Sequence, residues 1–302
     1  MQLLQRRDIG DKIRATVDFI KENFKSLMLS SLIFAIPLGV TLGYFMSKYQ
    51  LMVNQLVQEA QDDPANANPF ELFSQLFDNT TLAMLVLSQF LSVMLMTAIF
   101  SYIEIYEERE SSNISVSEVL NRTFSNLPRV LLTYITIMFL FAIIMIILVL
   151  GLTPVMSSIK GGADGATGLR ILSIMMIVFG IIMLLLLLFV GVGIYLSLSP
   201  IVASREKASP IEAIRTSYNL IKGEWWLTFG FLVIMIILQS LISTIISIPL
   251  SVMSGVSAVS PEAIDEPKTL IISSVTYILS SLVGIIYYVG VALQYYDLKA
   301  RG

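Results

Sequence analysis

The sequence predicts an all-α integral membrane protein, with six transmembrane helices in three repeats of a cytoplasmic amphipathic helix plus a transmembrane hairpin. Three observations lead there. Six stretches carry no charged residue, 26–47, 79–103, 130–159, 171–204, 225–261 and 269–296, and together they hold more than half of the chain. About 20 apolar residues in a helix cross the roughly 30 Å hydrocarbon layer, so each stretch is long enough to span. Charged residues make up only 14% of the chain, against roughly 25% in a soluble domain. The third observation is where the basic residues fall.

Before the first span lie Arg6, Arg7, Lys12, Arg14, Lys21 and Lys25. Arg109, Arg122 and Arg129 follow the second span, Arg205, Lys207, Arg215 and Lys222 follow the fourth, and Lys299 and Arg301 follow the sixth. The alternate loops hold only Lys48, Lys160, Arg170 and Lys268. The positive-inside rule then places both termini in the cytoplasm. The long charged stretch before the first span, with no cleavage site after it, predicts a retained anchor rather than a signal peptide. The expected location is a bacterial cytoplasmic (inner) membrane.

The first unit, approximately 8–109, opens with Asp8 at an N-cap and Asp11 three residues on, followed by the stripe Ile13, Val17, Ile20 and Phe24. An outer loop over 48–80 joins its two spans. It carries Glu59, Asp62, Asp63, Glu71 and Asp78 against Lys48, a solvated acidic face without the alternating ligands of a calcium loop. Phe70, Phe73 and Phe77 are placed to dip its second half into the outer leaflet.

The second unit, approximately 115–205, repeats the pattern with Ser115 and Glu118, then Leu120, Phe124, Leu127 and Leu131. Pro128 predicts a break between the surface helix and the span that follows. The third unit, approximately 209–302, has the clearest start. Ser209-Pro210-Ile211-Glu212 reads as a capping box with Pro at the first helical position. Ile214, Tyr218, Ile221 and Trp225 form the stripe, and Thr16, Thr123 and Ser217 fall in register across the three copies. Such helices are expected to lie in the interface plane. Trp225 and Trp226 sit where an aromatic belt belongs.

Composition excludes much chemistry. Without Cys there is no disulfide or thiolate, and without His the commonest metal ligand and near-neutral base are gone. No charge lies mid-span; Glu104, near a span end, is expected to reach the headgroups. Gln239, Ser240, Ser243, Thr244, Ser247 and Ser251 form one polar face, and Ser273, Tyr277, Ser280, Ser281 and Gly284 another. Small and hydroxyl residues are ordinary helix-packing material in lipid, as is Gly39-x-x-x-Gly43. No phosphate loop, nucleophile elbow or zinc motif occurs. The expectation is a protein without cofactor, metal, catalytic residues or nucleic-acid partner.

Pro200-Ile201-Val202, the run from Ser209 to Gly223, and Tyr295-Tyr296-Asp297-Leu298-Lys299-Ala300-Arg301 resemble a bacterial family of uncharacterised six-span proteins. That family is related to the membrane domain fused to some glycerophosphodiester phosphodiesterases. The resemblance is clearest over 195–302. It implies a membrane module and no enzyme, since the catalytic histidines have no counterpart here.

Two function classes follow. The first is an accessory or scaffold protein that contacts membrane lipid or a protein partner through Arg14, Lys21, Arg122, Arg129, Arg215 and Lys222, a basic belt on the surface helices. The second is a permease or lipid transporter subunit for a neutral or lipid-like substrate. A surface helix before six spans resembles the permeases of some ABC exporters, though a threefold repeat fits them poorly.

Overall fold

The computed structural model describes residues 2–62, 79–109, 114–160, 168–253 and 266–301. Among them every regular element is helical: α1 (Ile9–Glu22), α2 (Phe24–Asp62), α3 (Asn79–Arg109), α4 (Val116–Lys160), α5 (Gly168–Leu196), α6 (Ser199–Arg205), α7 (Pro210–Ile221), α8 (Trp225–Met253) and α9 (Glu266–Arg301). Six helical stretches are long and apolar enough to cross a membrane: Phe24–Val53, Thr81–Arg109, Val116–Ile147, Leu185–Arg205, Trp225–Leu250 and Pro267–Arg301.

The expected caps are present. Asp8 accepts a hydrogen bond from the N–H of Asp11 at 2.7 Å, and Ser115 from that of Glu118 at 3.3 Å. At α7 the Glu212 carboxylate accepts from the backbone N–H of Ser209 at 2.9 Å and from its hydroxyl at 2.8 Å. The Ser209 backbone N–H bond, and then the hydroxyl bond, hold the Glu212 carboxyl below its ordinary value. Each cap meets donors that a helix start would otherwise leave unpaired.

Two expected boundaries are corrected, and a break not assigned from sequence appears. Pro128 does not divide α4, which is continuous from Val116 to Lys160. A proline removes one intrahelical bond, but the flanks are fixed by packing: Asn126 and Val130 are buried on either side. Within the long stretch 171–204 the chain breaks once, since α5 ends at Leu196 and α6 restarts at Ser199. Pro200 has no N–H to donate back to Leu196, and it suits the first turn of a new helix. Finally, α2 continues beyond Lys48 to Asp62, so the start of the expected outer loop is helix. Nothing between Lys48 and Asp62 breaks it, and Pro64 follows. Asp63, Glu71, Asp78, Phe70, Phe73 and Phe77 lie outside the described residues.

α2, α3 and α9 form the centre. Gly39 and Gly43 let α2 approach α9 so closely that a Cβ would stand 2.6 Å from the backbone N of Ile278 and 2.5 Å from that of Ser274. The expected packing role of this pair is met. Burial then concentrates toward one end of the bundle. The last turns of α3, from Val93 to Tyr106, are buried, as are α6 from Ser199 to Ser204 and the end of α9 from Val289 to Leu298. α1 and α7 flank this end.

Candidate functional site

The end of the bundle that carries α1, α6 and α7 is tied by carboxylates, each from the last turns of a span or just beyond. Asp297, on α9, is the most enclosed. Lys12 Nζ lies 3.1 Å from its Oδ2 and donates to Gln294 Oε1 at 2.6 Å, and none of these three side chains reaches solvent. The backbone N–H of Arg7 donates to Asp297 Oδ1 at 2.8 Å, and Arg301 Nε to Oδ2 at 3.2 Å. Gln294 passes the chain on to Thr228 of α8 at 2.9 Å. Lys12 also stands 4.9 Å over the ring of Phe231.

A buried ion pair is tolerated only when its remaining polar sites are filled, and here they are. Burial pulls the Lys12 ammonium below its usual value, against the opposing pull of Asp297. Arg301 closes the assembly, with one guanidinium nitrogen on the carbonyl of Arg7 at 2.8 Å and another 3.3 Å from Glu224. The segment before α1 and the end of α9 are thereby one unit.

Glu104 anchors the second cluster. It is buried rather than turned to the headgroups as expected, because the Arg122 guanidinium reaches it at 2.9 Å and Asn126 at 2.8 Å. Arg122 also makes a two-pronged contact with Glu108 at 2.9 and 2.8 Å, a geometry that suits guanidinium and carboxylate. Asn126 further donates to Ser101 and Ser204 at 3.2 and 3.1 Å, linking α3, α4 and α6.

A third cluster joins α3, α6 and α9. Glu107 accepts from Arg205 at 2.7 Å and from the Tyr296 hydroxyl at 2.5 Å. Just beyond α6, Glu206 accepts from Tyr295 at 2.7 Å and from Lys299 at 2.8 Å. Burial works to raise the Glu206 carboxyl, but the bonds from Lys299 and Tyr295 outweigh it and hold it below the usual range. Each of these carboxylates pairs with a Lys or Arg, and the pairs tie the helices to one another.

The surface helices sit on this polar floor in matching ways. Lys12 and Thr16 on α1, Val119 and Thr123 on α4, and Ala213 and Ser217 on α7 are all enclosed, the same register positions in each. The apolar stripes are divided: Ile221 is enclosed, and Ile13, Ile20, Leu120, Leu127, Leu131 and Trp225 pack against the core. Val17, Phe24, Phe124 and Tyr218 are exposed, as is Trp226 at the start of α8.

Of the basic residues singled out from sequence, Arg14, Lys21, Arg215 and Lys222 are exposed and Arg129 is half-buried. Arg122 differs, since Glu104 and Glu108 hold it against the protein. From sequence Lys12 reads only as a topology charge, and its burial is a finding of the structure. The signal was available: its register partners are Val119 and Ala213.

The two polar faces meet only in part. A cavity of about 250 Å³ among α2, α3, α8 and α9 brings Gln239 to Tyr277, Ser280, Ser281 and Gly284. Ser240 and Thr244 are exposed instead, and the hydroxyls of Thr244 and Ser247 bond back to their own helix. Ser251 lies outside the described side chains.

Six apolar helices of spanning length make this a multi-pass membrane protein. The chain belongs to the family described as a domain of unknown function (DUF7847), whose model matches residues 65–298. No curated protein and no solved structure matches it.

Proposed function

We propose that this protein is a non-enzymatic accessory or scaffold component of a bacterial cytoplasmic membrane, docking anionic lipid or an acidic protein partner on its cytoplasmic surface helices. The observation that carries this reading is the shared burial register of α1, α4 and α7, which leaves apolar and basic side chains outermost on a rigidly tied end. Val17, Phe24, Phe124, Tyr218 and Trp226 suit the headgroup boundary, where burial of one large apolar side chain contributes roughly 1.5–3 kcal/mol. Arg14, Lys21, Arg129, Arg215 and Lys222 suit an anionic surface, at about 1 kcal/mol per charge. Arg122 is left out of this contact set because its carboxylate partners already neutralise it.

The burial pattern that α1, α4 and α7 share supports the reading, since three similarly seated helices make a belt rather than a single contact. A relation to the membrane domain of glycerophosphodiester phosphodiesterases fits as well, through a membrane module without the catalytic part. The transporter reading has less behind it, because most of the polar face of α8 looks outward or bonds to itself.

The test replaces Arg14, Lys21, Arg215 and Lys222 with Gln. In nanodiscs of mixed zwitterionic and anionic lipid, the variant is expected to insert and fold as the parent does. The anionic lipid or protein recovered with it should fall severalfold. Recovery equal to the parent's would leave the belt as a topology signal only.

A further inference from the structure

The cavity among α2, α3, α8 and α9 is chemically unlike the rest of the spans. Ser92, Gln239, Tyr277, Ser280, Tyr287 and Tyr288 line it. Among the described residues, the hydroxyl of Ser281 bonds back to the carbonyl of Tyr277 at 2.7 Å. The side chains of Ser92, Gln239, Tyr277 and Ser280 have no hydrogen-bonding protein partner among the described residues. These groups are half-buried, and a polar group that faces hydrocarbon without a partner is costly, so lipid tails suit this cavity poorly. Something with hydrogen-bonding groups of its own belongs there.

The lining specifies what. No charged side chain reaches the cavity, which disfavours an ion or a phosphate. Gln239 offers both donors and an acceptor, and each hydroxyl offers one donor and an acceptor, the complement of a cluster of hydroxyls. Leu38, Leu42 and Leu95 and the tyrosine rings supply apolar walls beside that polar set. Its volume is roughly that of eight waters, taking about 30 Å³ each, enough for a three-carbon polyol with a short apolar extension.

We infer that this cavity binds an uncharged polyhydroxyl group within the membrane-spanning segments. Two sources share that chemistry, a free polyol and the glycerol head of a diacylglycerol. The site does not depend on the docking role proposed for the basic belt, since the two share no residue.

The experiment uses the full chain in phosphatidylcholine nanodiscs, with two probes. One arm measures equilibrium binding of radiolabelled glycerol. The other uses a photoactivatable diacylglycerol, with dioctanoylglycerol as competitor and phosphatidylglycerol as the charged control. Saturable glycerol binding assigns the free polyol. Photolabelling within residues 277–288 that dioctanoylglycerol displaces assigns the lipid. In either arm, Tyr277→Phe should weaken binding about fivefold and Gln239→Leu about tenfold or more, while thermal unfolding stays at or above that of the parent. Both changes nearly preserve shape, so loss of the fold is not expected to intervene. The inference is overturned if neither probe binds saturably, if binding survives both substitutions, or if phosphatidylglycerol competes as well as dioctanoylglycerol.

Discussion

The end of the bundle that gathers α1, α6 and α7 and the outward flanks of α4, α5 and α8 are both made of apolar helix, yet they are built on opposite terms. At the first, Lys12, Asp297, Gln294 and Thr228 form a fully enclosed polar chain beneath Phe231, and α6 is buried from Ser199 to Ser204. At the second, Ile146, Ile147, Leu187 and Ile245 stand well exposed. Within the most apolar 18-residue window, half of α2 is buried, but only 11% of α4 and 17% of α8. The difference shows where specificity resides. Lipid satisfies an apolar side chain as well as protein does, so the flanks need no unique partner. Charges taken out of water need one particular partner each, and those partners fix how the helices meet.

The largest effect expected from this contrast is at Asp297. Asp297→Ala strands Lys12 in a closed site and removes the acceptor of Arg7 and Arg301. Breaking a buried pair from one side costs about 3–5 kcal/mol, and the chemical unfolding midpoint in mixed micelles should fall accordingly. Combining Lys12→Met with it should recover part of the loss, because no unpaired ammonium remains. A cost under about 1 kcal/mol for the single variant would mean that the pair does not hold α1 to α9. At the other extreme, Ile245→Ala and Leu187→Ala should each move the same midpoint by no more than about 0.5 kcal/mol, the size usual for a side chain without a packing role. A core-sized loss at either site would show that these flanks contact protein, in a second copy or a partner.

The same contrast explains what could be read from the chain. The spans are legible because the bilayer demands a long uncharged run, and the helix starts are legible because Asp8, Ser115 and Ser209 act over three residues. The break before Pro200 and the continuity through Pro128 are not. A proline states only a local preference, and the neighbours of Asn126 that override it come from α3 and α6. The ion pairs are less legible still. Lys12 and Asp297 are 285 residues apart, and a charge at a span end reads the same whether it faces water or a partner. The cavity is half legible: Gln239, Tyr277 and Ser280 fall on polar faces of their helices, but Ser92 and Tyr288 join them only once α3 packs on α9.

The docking role requires the tied end to face the cytoplasm, and the cysteine-free chain makes that directly measurable. Single substitutions Ser117→Cys, at the exposed start of α4, and Asn66→Cys and Ser257→Cys, between spans, are probed in intact cells with a membrane-impermeant thiol reagent. Labelling is expected at positions 66 and 257, and none at 117 until the cells are permeabilised. Labelling of Ser117→Cys from outside would contradict the docking role, placing the basic belt away from the cytoplasm.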